Sequence, residues 1–66
     1  MIIKVTSPSS YSVEVEALEG AHVRGALAKA LGETRAASCG IELEADLKSG
    51  VAVEGAKVVA AFRVLW

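Results

Sequence analysis

Two side chains could carry nucleophilic chemistry in this sequence, the single cysteine Cys39 and the single histidine His22. A cysteine thiol becomes a nucleophile when a nearby base or positive charge lowers its pKa. His22 falls at the start of a predicted helix and Cys39 beyond its end, so we expect the helix to hold them apart. The sequence therefore favours a structural thiol, which is often buried in proteins, over a catalytic one. One cysteine and one histidine also exclude an internal disulfide and a zinc site built from Cys and His ligands of one chain.

Four glutamates are the other side chains that could take part in catalysis, because alternate positions of a strand share one face. Glu14 and Glu16 make one such pair, and Glu42 and Glu44 make the other. Paired carboxylates can act as a general acid and base, but charged side chains also line the solvated face of edge strands and oppose aggregation there. We interpret all four as such a solvated face. The sequence thus predicts no catalytic residue, no metal site and no cofactor.

The composition describes one small domain, residues 1–66, without a signature of nucleic-acid or membrane binding. Apolar residues make up 53% of the chain, and the formal net charge is -1. Nucleic-acid binders usually carry a basic stripe interleaved with aromatic residues, whereas the basic residues here are scattered singly. No segment has the roughly 20 apolar residues of a spanning helix, and residues 1–5 are too short for the core of a signal peptide. We expect a cytoplasmic location and no nucleic-acid, membrane or small-molecule partner.

The first part of the chain predicts a hairpin. Ile3 and Val5 alternate with polar neighbours, as do Val13 and Val15, and alternation is typical of half-buried strands. Residues 7–10, which are Ser-Pro-Ser-Ser, favour a turn between the two strands. Residues 41–44 alternate again and predict a third strand.

A helical period replaces the alternation after residue 20. Apolar residues recur at intervals of three and four, which places them on one helix face: Val23, Ala26, Leu27, Ala30 and Leu31. Gly32 stands where a left-handed residue often caps a helix C-terminus. Residues 33–40 are predicted as a connection.

Residues 57–65 form the longest predicted strand and are apolar on both faces. By alternation, Val58, Ala60 and Phe62 face the helix, whereas Val59 and Ala61 face away. A turn-rich stretch precedes this strand and contains only a short extended piece at residues 51–53. A strand that is apolar on both faces is typically central, so we expect the first and last strands to pair as parallel neighbours in an α+β fold.

With its elements in the order ββαββ, the chain resembles the β-grasp, or ubiquitin-like, family. Residues 1–31 look like the family's opening hairpin and helix, and residues 47–65 look like its closing turn and last strand. Residues 33–46 are shorter than in ubiquitin and more similar to the small sulfur-carrier members. The resemblance implies a mixed sheet packed on one helix.

The family's best-known chemistry depends on residues that this chain lacks. Conjugated and sulfur-carrying members are activated at a C-terminal Gly-Gly, whereas this chain ends with Arg63, Val64, Leu65 and Trp66. We therefore expect neither conjugation nor sulfur transfer. Two alternatives stay open: a degenerate sulfur-carrier-like protein that docks on an activating enzyme without being activated, and a small thiol enzyme that uses Cys39.

The sheet face turned away from the helix is the strongest candidate for a function. Its expected members are mostly apolar and are contiguous if the first and last strands pair: Ile2, Lys4, Val59, Ala61, Arg63 and Leu65. Ubiquitin-like domains commonly bind partners through this face. Val59 and Ala61 match last-strand positions of that patch, although Glu42 takes an apolar place on the third strand. Exposed apolar patches of this kind usually mark interfaces.

Trp66 completes the candidate interface, because tryptophan is favoured at binding hot spots. We expect it either to pack across the outer face or to anchor in a partner. The sequence as a whole predicts a non-enzymatic protein–protein interaction or assembly module. It would act as a homo-oligomer or as a small subunit of a larger complex, for which phage and bacterial assemblies that contain β-grasp pieces are an analogy.

Overall fold

The computed structural model describes residues 1–66 and contains five strands and two helices. In chain order the elements are β1 (Ile2–Ser7), β2 (Tyr11–Glu14), α1 (Gly20–Leu31), α2 (Glu33–Ser38), β3 (Gly40–Leu43), β4 (Ser49–Glu54) and β5 (Lys57–Leu65). The α+β class predicted from the sequence is confirmed.

The strands form one sheet in the order β2-β1-β5-β4-β3, and every neighbouring pair is antiparallel. The last strand is central, as expected. The parallel pairing of the first and last strands is wrong, and with it the mixed sheet, because Ile2 pairs with Leu65 at the far end of β5. Residues 51–53 belong to a full strand, β4. The strands β3, β4 and β5 therefore form a meander of two hairpins, whose last turn brings β5 back antiparallel to β1.

The two helices lie over the same face of the sheet. In α1 the predicted apolar stripe turns inward, with Val23, Ala26 and Leu27 buried, and Gly32 ends the helix with φ 86. The second helix, α2, occupies residues that the sequence predicts as a connection, and its Ala36 is buried in the core. A helix this short offers too few residues for a helical period to show in the sequence.

Eleven buried side chains form a single core between the helices and the sheet. Six of them come from the strands: Ile3, Val5, Ala52, Ala60, Phe62 and Val64. Phe62 is the largest of the fully buried side chains. A core of this size is small, so the fit between its members decides much of the stability.

Gly50 shows how closely that core is fitted. A Cβ atom at this position would lie 2.5 Å from Cζ of Phe62 and 2.7 Å from the carbonyl oxygen of Glu42. Glycine therefore lets the Phe62 ring rest directly on the backbone of β4. The larger side chain on β5 fits because its neighbour on β4 has none.

Tyr11 ties the edge strand β2 to α1. Its hydroxyl donates to the carbonyl oxygen of Ala26 at 2.7 Å and accepts from the backbone N–H of Ala30 at 3.1 Å. Lys29 places its ammonium 5.3 Å from the centroid of the same ring. Burial raises the pKa of Tyr11, and the bond from Ala30 partly opposes that rise.

Two arginines hold α2 in place. Arg24 donates from Nε and Nη2 to the carbonyl oxygen of Cys39, each at 3.2 Å, just beyond the C-terminus of α2. Arg35 donates from the same two atoms to the carboxylate of Glu54 on β4, at 2.9 and 3.0 Å. This bidentate pair lowers the pKa of Glu54 and raises that of Arg35.

Candidate interaction surface

Neither helix covers the second face of the sheet, which we call the open face. Alternation along the strands and their pairing register place four groups on it. They are an apolar pair (Ile2 and Leu65), a basic pair (Lys4 and Arg63), an acidic pair (Glu42 and Glu44) and an apolar block (Val51, Val53, Val58 and Ala61).

A β-bulge decides which valine of β5 joins the open face. Ala52 pairs with Ala60 but Val53 pairs with Val58, so Val59 is an extra residue on β5. Val59 is half-buried and packs against the core, whereas Val58 is 56% exposed. The predicted orientations of these two valines are therefore reversed, because a bulge shifts the alternation by one residue.

The apolar block sits on the two adjacent strands β4 and β5. Val51 stands opposite Ala61, and Val53 stands opposite Val58. Directly opposed side chains in an antiparallel pair lie close enough to form a continuous surface. The block is therefore one patch, in which Val58 is exposed and the other three side chains are half-buried.

The charged groups flank this block on opposite sides. Lys4 pairs directly with Arg63 at the boundary of β1 and β5, and like charges in that relation destabilise a sheet. Glu42 and Glu44 lie along the outer strand β3 and its continuation. The chain's one ion pair joins Arg35 to Glu54, so all four of these charges lack an oppositely charged partner.

Trp66 belongs to the end of the sheet. Its indole Nε1 donates to the carbonyl oxygen of Leu47 at 3.2 Å, in the turn between β3 and β4. The side chain is 70% exposed, and it does not pack across the open face as one sequence-based alternative expects. Leu47 itself has a φ of 59, which is uncommon for a residue other than glycine.

The side chains that the sequence offers for catalysis, Cys39, His22 and four glutamates, do not form one site. Cys39 is 2% exposed, and its thiol donates to the carbonyl oxygen of Ala36 at 3.2 Å. His22 donates from Nδ1 to the carbonyl oxygen of Ala17 at 3.0 Å. The four glutamates considered from the sequence are all exposed, and no three His, Cys, Asp or Glu side chains are grouped as metal ligands.

One cavity, of about 290 Å³, opens between the two helices. Its walls are mainly small residues, together with Arg24 and Glu33. Gly25 contributes no side chain there, and a Cβ atom at that position would meet nothing within 4 Å. The Arg24 guanidinium is already bound to Cys39, so the cavity offers little polar chemistry of its own.

No protein-family model, curated protein or solved structure matches the chain. The β-grasp resemblance therefore stays a prediction. Neither of the two helices has both the length and the apolar character needed to cross a membrane.

Only part of this surface is predictable from the sequence. Ile2, Lys4, Ala61, Arg63 and Leu65 lie on the open face as expected. The missed members are Val51, Val53 and Val58. A signal for the first two is present in the sequence, because Val51 and Val53 alternate with Ala52 and would share a face in any strand. The bulge that exposes Val58 leaves no comparable signal.

Proposed function

We propose that this protein is a non-enzymatic interaction module that binds a protein surface through the open face. The observation that carries this proposal is the apolar block, which neither helix covers and which unpaired charges border on both sides. An apolar surface with a charged rim is the usual composition of a protein interface. The partner is either a second copy of the chain or a component of a larger assembly.

The charge pattern supports the same proposal. Lys4 and Arg63 face each other across two strands without an intervening anion. Within one chain that arrangement is unfavourable, and a carboxylate supplied by a partner would relieve it. A surface that keeps such a pair beside an apolar block is better suited to binding than to free solvent.

A binding role is favoured over thiol chemistry by the surroundings of Cys39. The thiol is buried and bonded to a backbone carbonyl, which leaves no approach for a substrate. His22 binds a different carbonyl and gives Cys39 no base. The antiparallel pairing of β1 and β5 departs from the β-grasp pattern, so docking on a sulfur-activating enzyme gains no support from it.

The test compares one substitution on the open face with the same substitution on the helical face. Val58→Glu puts a carboxylate into the apolar block, and Ala37→Glu puts one on the exposed surface of α2. Circular dichroism melting should show both variants folded, since both positions are exposed. Cross-linking followed by mass spectrometry then identifies the proteins bound to each form, second copies included.

We expect a partner that wild type and Ala37→Glu retain and that Val58→Glu loses. Equal recovery of every identified partner with Val58→Glu would show that the open face is not the binding surface. Loss with both variants would point to a general effect of added charge and would also contradict the proposal.

A further inference from the structure

We infer that the open face binds a second copy of this chain, packed face to face about a twofold axis that runs parallel to the strands between β4 and β5. The inference rests on the proposed function and names its partner. Its basis is the position of each side chain on the open face, which makes the surface complementary to itself under this one rotation.

The rotation exchanges β5 with β4 of the second copy, and β1 with β3 of the second copy. Residues at the same level across the strands therefore come face to face. One level contains Lys4, Arg63 and Ser49 through the pairing register. Glu44 joins it because its backbone N–H donates to the carbonyl oxygen of Ser49 at 2.9 Å.

At this level the exchange brings opposite charges together. Lys4 faces Glu44 of the second copy, and Glu44 faces Lys4 of the second copy in return. Arg63 faces the hydroxyl of Ser49 of the second copy. Both contacts occur twice, because a twofold interface repeats every pair. Each copy thus supplies the carboxylate that the opposed Lys4 and Arg63 lack.

The next two levels bring apolar side chains together. Ala61 faces Val51 of the second copy, and Val58 faces Val53 of the second copy, according to the register of β4 and β5. These four lie nearest the axis, where two sheets about 10 Å apart approach most evenly. Aligned sheets cross at about 30°. At β1 and β3, which lie farther from the axis, this crossing offsets facing residues of the two copies by roughly 4 Å along the strands. Long, flexible lysine and glutamate side chains accommodate that displacement.

Neighbouring axes give poorer matches. An axis along β5 would place Arg63 against Arg63 of the second copy. An axis along β4 would place Ala61 against Glu42 of the second copy and bury a carboxylate on an apolar surface. Of these three axes, the one between β4 and β5 matches apolar with apolar and basic with acidic.

The expected contact is small. Four overlapping strands about 4.8 Å apart and about 20 Å long cover roughly 400 Å² per copy. The total for both copies, about 800 Å², is below the about 1,200–2,000 Å² that specific complexes usually bury. We therefore expect a weak dimer whose population rises with concentration between the micromolar and millimolar ranges.

Charge exchange tests the pairing of Lys4 with Glu44. Analytical ultracentrifugation at low salt measures self-association of wild type, Lys4→Glu, Glu44→Lys and the double variant. Each single variant places like charges face to face and should weaken the dimer by at least about tenfold. The double variant restores opposite charges and should recover the wild-type constant to within about threefold. Lys29→Glu makes the same charge change on α1 and should leave association unchanged.

A monomer at every concentration, or a double variant as weak as the singles, would overturn the second-copy inference. If Val58→Glu then still loses an identified partner that wild type binds, the interaction module stands with a different partner. If Val58→Glu loses none, the proposed function falls as well. Circular dichroism of each variant confirms that a loss of association is not a loss of folding.

Discussion

The two faces of the sheet use alternate residues of the same strands, yet their side chains have very different neighbours. On the covered face, large and small residues are matched within the chain, as when the Phe62 ring rests on Gly50. On the open face no such matching occurs, since Val58 is exposed and Lys4 stands against Arg63. The covered face is completed by its own helices, whereas neither helix packs on the open face.

The largest expected difference between the faces is the cost of removing a side chain. Phe62→Ala should lower the free energy of unfolding by about 3–5 kcal/mol, because it empties the centre of a small core. Val58→Ala should lower it by less than about 1 kcal/mol. Urea denaturation measures both. If Phe62→Ala does not fold, Phe62→Leu should still lose about 1–2 kcal/mol, and equal losses for Phe62→Leu and Val58→Ala would remove the distinction between the faces.

Two glycines test whether the close fit is confined to the core between the sheet and the helices. Gly50→Ala should destabilise the protein by about 1–3 kcal/mol, because the new methyl group collides with Phe62 and with the backbone of Glu42. Gly25→Ala should stabilise it by about 0.5–1 kcal/mol, because the added methyl group meets nothing within 4 Å and alanine favours the helix. Thermal melts of the two variants should move in opposite directions, and a Gly50→Ala protein as stable as wild type would contradict this account of the core.

A smaller effect is expected at the edge of the covered face, where Tyr11 binds α1. Tyr11→Phe removes both hydroxyl bonds and should cost about 0.5–1.5 kcal/mol at neutral pH. The raised pKa means that the folded state favours the protonated phenol. Its stabilising effect is therefore present at lower pH and is lost as pH rises above about 10. Denaturation across alkaline pH should show a shallower decline for Tyr11→Phe than for wild type.

The smallest effect is expected at the exposed ion pair between α2 and β4. Because Arg35 lowers the pKa of Glu54, the pair stabilises the fold above the carboxyl's ordinary pKa of about 4.3 and stops doing so as pH falls through the folded value. Glu54→Gln should therefore make stability less dependent on pH below about 4 and less dependent on salt. Identical acid profiles for the variant and wild type would show that solvent screens the pair completely.

Strong local patterns made part of the fold predictable. The recurrence of Val23, Ala26 and Leu27 identified α1, and Gly32 marked its end. Alternation identified the first two strands and the third. The second helix left no pattern because its six residues are fewer than two turns. The direction of β5 relative to β1 also escaped prediction, since alternation fixes which face a side chain occupies and not which way the strand runs.

The candidate surface, like the fold, was predictable only where alternation along a strand is regular. The placement of Lys4, Ala61 and Arg63 follows from alternation alone. The orientation of Val58 and Val59 does not, because it depends on a pairing between β4 and β5 that skips one residue. The importance of β4 itself was missed because its glycine and turn-forming neighbours obscure the alternation of Val51 and Val53.

The extra residue, Val59, reverses the alternation of side chains along β5. From Ala60 onward, β5 presents its side chains in one phase, and from Val58 back toward the hairpin tip it presents them in the opposite phase. Deleting Val59 would restore a single phase, and Val58, then directly beside Ala60, would stay opposite Val53 on the open face. The inserted residue therefore adds one side chain against the core without turning Val58 away from the open face.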